Sequence, residues 1–170
     1  EEMTVAARKQ LREKFSTAGM GVTGANFAVA ETGTIVLVEN EGNIRLCTTL
    51  PRLHVVLMGI EKVIPSFDDL AVFLKVLARS ATGQKMSSYV SFITGPRREG
   101  ETDGARQLHV VILDNGRTRI LADDDKRESL YCLRCGACLN VCPIYQKIGG
   151  HAYGSVYPGP IGSIITPPMI

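Results

Sequence analysis

Four cysteines stand at Cys132, Cys135, Cys138 and Cys142, and Pro143 follows the last of them. The spacing is C-x₂-C-x₂-C-x₃-C-P, the run with which bacterial ferredoxins bind [4Fe–4S] clusters. Three thiolates two residues apart can wrap one face of a cubane while backbone amides turn toward its sulfides. Gly136 lets the loop pass close to an inorganic core. Pro143, with a fixed φ and no N–H, redirects the chain after the fourth cysteine. A zinc site usually takes two short Cys/His pairs with a long spacer between them, whereas all four thiols here fall within eleven residues. A disulfide framework belongs to an oxidising setting, which nothing in the chain suggests.

In two-cluster ferredoxins the fourth cysteine of such a run ligates the other cluster. On that rule Cys132, Cys135 and Cys138 hold a first [4Fe–4S] cluster, and Cys142 serves a second. The fifth thiol, Cys47, stands alone and reads as an ordinary, partly buried cysteine. The missing ligands are expected from further sequence or from a partner chain. The opening Glu1 and the closing Thr166-Pro167-Pro168-Met169-Ile170 both read as cuts, so the chain is expected to be a fragment.

The 170 residues are 45% hydrophobic, enough to bury one ordinary core plus a small appendage. With 19 basic and 17 acidic residues the net charge is +2, and no basic stripe interleaves with aromatics. Nucleic acid and anionic membrane are therefore not expected as partners. No signal peptide and no apolar run of transmembrane length is visible, and thiols in a ferredoxin pattern fit a reducing compartment, so the cytoplasm is expected.

The elements that must position the cysteines follow from periodicity. Residues 3–18 carry Val5, Ala6, Leu11, Phe15 and Ala18 at amphipathic helical spacing. Gly19-x-Gly21-x-x-Gly24 then matches a dinucleotide fingerprint in letters only. That motif needs a strand before it and a helix after it, and here the order is reversed. Residues 27–30 and 34–38 predict strands joined by the turn Glu31-Thr32-Gly33, a possible hairpin. Residues 53–58, 89–94 and 108–113 predict three more strands. A helix is predicted from Ser66 to Arg79, with Asp68 and Asp69 in its first turn. Asp123 is expected to cap a helix that runs into Tyr131-Cys132. Near-continuous apolar strands alternating with helices mean α/β with a mostly parallel sheet and flanking helices. The tail, 149–170, has nine Gly or Pro among 22 residues and reads as an extended apolar arm.

Several stretches together are specific enough to name a family. They are Ala30–Thr34, Thr48-Thr49-Leu50-Pro51-Arg52-Leu53-His54, Arg79-Ser80-Ala81-Thr82-Gly83-Gln84 and Ser91-Phe92-Ile93-Thr94-Gly95-Pro96-Arg97. They resemble the LUD domain of lactate-utilisation proteins. The cysteine run, with Gly149–Gly154 and Tyr157–Gly162, is similar to the LutB-type iron–sulfur branch of that family. The resemblance covers essentially the whole chain. It implies a fold of the sugar-phosphate isomerase and CoA-transferase group (NagB/RpiA-like), of which 1–122 would be the C-terminal part. It further implies a 4Fe–4S segment at 123–148, a truncated arm at 149–170 and two [4Fe–4S] clusters in the longer protein. LutA-like and LutC-like subunits would be the partners, in oxidation of L-lactate to pyruvate.

Other residues have two readings each. Glu31, Thr32, Gly33 and Thr34 form a possible ligand loop, since glycine turns at strand ends bind anions; the alternative is a tight turn. His54 and His109, at strand starts, read as structural histidines rather than ligands. His151 could donate to a cluster sulfide. Arg134 and Lys147 flank the cysteines, where positive charge raises a cluster potential; the alternative is solvated surface. No Ser/His/Asp or Cys/His constellation can be argued, so no catalytic residue is assigned.

The expected function is an electron-transfer subunit of a lactate-oxidising oxidoreductase, the fragment alone being inactive. A fully Cys-ligated cubane has no open position for substrate. The alternatives are a LUD domain that itself binds a small carboxylate or anion as a redox enzyme, and a cluster that only staples a scaffold.

Overall fold

The structure, a computed structural model, describes residues 2–169. Helix α1, Glu2–Thr17, matches the amphipathic spacing but buries none of its side chains. Seven strands follow among the described residues: β1 Met20–Thr23, β2 Phe27–Val29, β3 Thr34–Glu39, β4 Leu53–Gly59, β5 Val63–Ile64, β6 Tyr89–Ile93 and β7 Gln107–Leu113. Helix α2, Asn43–Thr49, lies between β3 and β4, and α3, Phe67–Thr82, lies between β5 and β6. Then come α4 Arg117–Ala122, a 3-10 helix Arg127–Tyr131, α5 Ala137–Val141, α6 Pro143–Ile148 and α7 Gly159–Met169.

The chain forms two compact units that do not follow chain order. One holds the residues up to Met58, Lys62–Phe67 and Ser87–Ile112. The other holds Gly59–Glu61, Asp68–Met86 and the residues from Leu113 on.

The first unit contains the strands in two sheets. One has the order β1-β4-β7, with β1 and β4 parallel from Met20 opposite Leu53 to Thr23 opposite Val56. The other has the order β5-β2-β3-β6, in which β2 and β5 are parallel. The α/β class and this parallel pairing agree with the strand pattern. The same sheet also carries antiparallel pairs: the β2–β3 hairpin and β3 with β6. Thr34, Ile35, Val36 and Leu37 are all buried, so an antiparallel strand covered on both faces reads in sequence like a parallel one. Ala28, Ile35, Leu37, Val56 and Met58 make the core between the sheets.

Gly21 explains the false fingerprint. A Cβ there would lie 2.0 Å from the Cys47 carbonyl oxygen of α2, so the glycine admits a helix against β1. Helix α2 carries no readable period of its own. Its first turn is held by Glu39, whose carboxylate accepts from the N–H groups of Ile44 and Arg45 at 2.8 Å each. Strand β7 leaves Val110, Val111, Ile112 and Leu113 between 40% and 54% exposed, although its apolar run predicts burial.

In the second unit the tail departs from the expected extended arm. Residues 159–169 are helical, with Pro160 in the first turn, where its missing N–H costs nothing, and Pro167 and Pro168 in the last. Its glycines are packing sites. A Cβ at Gly159 would meet Leu139 Cδ2 at 2.2 Å, and one at Gly162 would meet the Tyr157 carbonyl oxygen at 1.7 Å.

Candidate iron–sulfur site

The site is built from the turn after α4 onward. Asp123 ends α4 through its N–H to the Ile120 carbonyl. Its carboxylate accepts from the Asp125 N–H at 3.0 Å and pairs with Lys126, which holds its pKa below the usual carboxylate range. Its carbonyl accepts from Lys126 and Arg127 and so launches the 3-10 helix. Asp123 thus joins two short helices, and the expected longer capped helix is replaced by this turn, whose local hydrogen bonds compete with helix.

The cysteine loop then takes two left-handed residues, Arg134 at φ 60° and Gly136 at φ 79°. Glycine adopts this conformation freely, whereas an arginine is strained there. Among protein atoms a Cβ on Gly136 would meet only Leu139 Cδ1, at 4.0 Å, so within the protein itself it is the left-handed φ that calls for glycine. Cys132, Cys135 and Cys138 line one cavity of about 560 Å³ with Leu133, Leu139, Tyr157, Pro158 and Ile161. Cys142 does not line it. Its Sγ accepts from the Tyr145 N–H at 3.5 Å and caps α6, with Pro143 in the first position. Tyr153 faces Cys142 as well; burial, then the sulfur, push its hydroxyl pKa up.

Beside the cavity lies a buried charged cluster, of which sequence reasoning singled out Arg134 and missed Glu61, Arg117 and Tyr157. Glu61 Oε2 accepts from Arg117 Nε at 2.5 Å, and Glu61 Oε1 lies 3.5 Å from Arg134 Nη2. Arg117 also donates from Nη1 to the Asp114 carbonyl at 3.0 Å and from Nη2 to the Tyr157 hydroxyl at 2.8 Å. The Arg134 guanidinium stacks on the Tyr157 ring at 4.5 Å. Among the described residues its Nε and Nη1 are buried and have no hydrogen-bond partner. Each such donor costs about 1–3 kcal/mol unless something accepts from it.

This chemistry fits an anionic iron–sulfur cluster: three thiols, apolar walls and a cation only partly compensated by Glu61 share one cavity. Among the described residues no three His, Cys, Asp or Glu side chains converge on one metal position. A cubane takes its thiolates on separate irons and does not require that convergence.

Comparison with known proteins adds the family. Residues 1–113 match the LUD domain. The chain belongs to the LUD-domain family. Beyond this domain, residues 128–167 match the 4Fe-4S dicluster domain, so the cofactor is of the [4Fe–4S] class. The chain is 53% identical, over 98% of its length, to "Lactate utilization protein B" of Shouchella clausii (strain KSM-K16), and covers 35% of that protein. It is equally 53% identical, over the same shares, to "Uncharacterized electron transport protein YkgF" of Escherichia coli (strain K12). It thus spans about a third of the length of these curated relatives. A crystal structure of a DUF162 family protein from Deinococcus radiodurans matches at TM-score 0.44 and 22% identity, covering 59% of this chain and 56% of that one.

Within the LUD domain the other sequence candidates can be placed. Glu31, Thr32 and Gly33 form the β2–β3 turn, with Gly33 at φ 69°. Thr34 is buried, and its hydroxyl lies 2.7 Å from that of Thr32 and 2.9 Å from that of Thr94. His54 is 1% exposed and lies 2.8 Å from the Thr23 hydroxyl through Nε2. Burial lowers its pKa. His54 and Thr94 also line a second cavity, of about 420 Å³, with Arg45, Arg97 and Arg98. Cys47 is half-buried; burial, then Glu39, raise its pKa. His109 is exposed. In the dicluster region, His151 lines a different cavity, with Tyr145, and does not join the wall formed by Cys132, Cys135 and Cys138. Lys147 is exposed. No helix among the described residues is long and apolar enough to cross a membrane.

Proposed function

We propose that this chain is the cluster-bearing part of a cytoplasmic electron-transfer subunit that relays electrons from L-lactate as it is oxidised to pyruvate. LutA-like and LutC-like subunits would be its partners. Cys132, Cys135 and Cys138 would hold one [4Fe–4S] cluster, and Cys142 would serve the second. The observation that carries this reading is the division of the thiols: three share one cavity, and the fourth caps α6 outside it. When bound, a [4Fe–4S] cluster accepts or gives up one electron at a time. Leu133, Leu139 and Ile161 keep the cavity wall apolar, which limits water around the thiolates. The relatives' names, "Lactate utilization protein B" and "electron transport protein", support the assignment. The test is the full-length protein, purified without air and mixed with its partner subunits. L-Lactate should bleach the cluster absorbance only when the partners are present. Reduction by the isolated subunit would favour a self-contained enzyme.

One observation favours that second reading. The cavity is lined by Arg45, Arg97 and Arg98 and by Thr94, and its three arginines outnumber the two carboxylates, Glu101 and Asp103, that share the lining, a setting suited to a small carboxylate. Calorimetry with lactate and pyruvate tests it. Arg97→Ala should weaken binding at least about tenfold, about 1.4 kcal/mol.

A further inference from the structure

The charges around Glu61 do not balance. One carboxylate serves two guanidiniums, and the three side chains are only 3% (Glu61), 6% (Arg117) and 15% (Arg134) exposed. Every nitrogen of Arg117 has a partner: Glu61, the Asp114 carbonyl and the Tyr157 hydroxyl. The deficit therefore falls on Arg134. Among the described residues the only polar contact of its side chain is the 3.5 Å approach to Glu61, and Nε and Nη1 have none. Its backbone is held at φ 60°, which a side-chain-bearing residue adopts at a cost. A buried cation with spare donors on a strained backbone persists where something nearby compensates it. The cavity that Arg134 lines is the one lined by Cys132, Cys135 and Cys138.

We infer that Arg134 is the built-in counter-charge of the cluster held by Cys132, Cys135 and Cys138, and that it raises the reduction potential of that cluster. The inference rests on the cluster assignment above. Reduction adds one negative charge, and a nearby buried cation stabilises the more negative state. Hydrogen bonds to cluster sulfur act in the same direction. Tyr157 positions the guanidinium by stacking, and Glu61 anchors its far end while cancelling only part of the local positive charge.

The experiment is a potentiometric titration of the full-length protein, followed by EPR, after iron and sulfide have been counted per chain. Arg134→Gln should lower one potential of two. At the wild-type midpoint its reduced-to-oxidised ratio should fall about tenfold, which is about 59 mV for one electron. Arg134→Lys, which keeps the charge, should retain most of the potential, and Lys147→Gln, which removes an exposed charge, should leave it in place. A loaded Arg134→Gln protein titrating at the wild-type potential overturns the inference. So does lower cluster occupancy with an unchanged potential in the clusters that remain, which marks a merely structural residue. Should Arg134→Gln fail to load, Arg134→Lys decides, since a large shift there shows that charge is not the cause. A wild-type protein without iron and sulfide instead overturns the cluster assignment itself.

Discussion

Glu61 and Arg117 are joined at 2.5 Å with 3% and 6% of their side chains exposed, although 56 residues separate them in sequence. A buried pair contributes little net stability, but removing one partner leaves an uncompensated charge. Glu61→Ala would strand two buried guanidiniums and should destabilise the protein by about 3–5 kcal/mol. Denaturant unfolding measures it. A loss under about 1 kcal/mol would mean the pair behaves like a surface bridge.

Gly59 guards the same pair. A Cβ there would lie 2.0 Å from Glu61 Oε2 and 2.6 Å from Arg117 Nε. Gly59→Ala should therefore cost about 1–3 kcal/mol through forced displacement. Because the damage runs through Glu61, combining it with Glu61→Ala should cost less than the two separate losses added together. Strict additivity in the double-mutant cycle would show that Gly59 acts independently.

Cys142 and Cys135 should differ when removed. In the full-length protein Cys142→Ala should damage a second cluster, leave the first EPR signal in place and lower iron by about half. Cys135→Ala should do the converse. Loss of the same signal in both variants would place all four thiols on one cubane.

His54 should make stability depend on pH. Burial disfavours its charged form, so the folded chain binds that proton less tightly than the unfolded chain. Above the ordinary histidine pKa of about 6.5 both states are neutral and the residue adds no slope. As pH falls below it, the unfolded state gains a proton that the folded state does not take. Stability then drops by up to about 1.4 kcal/mol per pH unit, until the depressed folded pKa is passed. The difference between wild type and His54→Gln, measured from about pH 7.5 to about pH 5, isolates this contribution. An identical slope in the two proteins would contradict it.

Much of the fold was legible because its signals are local. Strands β2, β3, β4, β6 and β7 announce themselves by apolar runs, and α3 by its period. The short β1 and β5 were not legible: one contains Gly21 and the other has two residues, too few for a pattern. Helix α7 was hidden by its glycines and prolines, which read as chain breakers until Leu139 and the Tyr157 carbonyl are seen filling the space a Cβ would need.

The candidate site divides in the same way. The cysteine spacing alone pointed to the iron–sulfur chemistry, because three of a cubane's thiolates can come from one short loop. Only the tertiary structure decided what surrounds it. Arg134 meets a carboxylate 73 residues earlier and a ring 23 residues later in the chain (157 − 134). Spacing reports what neighbouring residues can reach. A buried charge takes whichever partners folding brings within hydrogen-bond distance, and those choices leave no periodic trace in the chain.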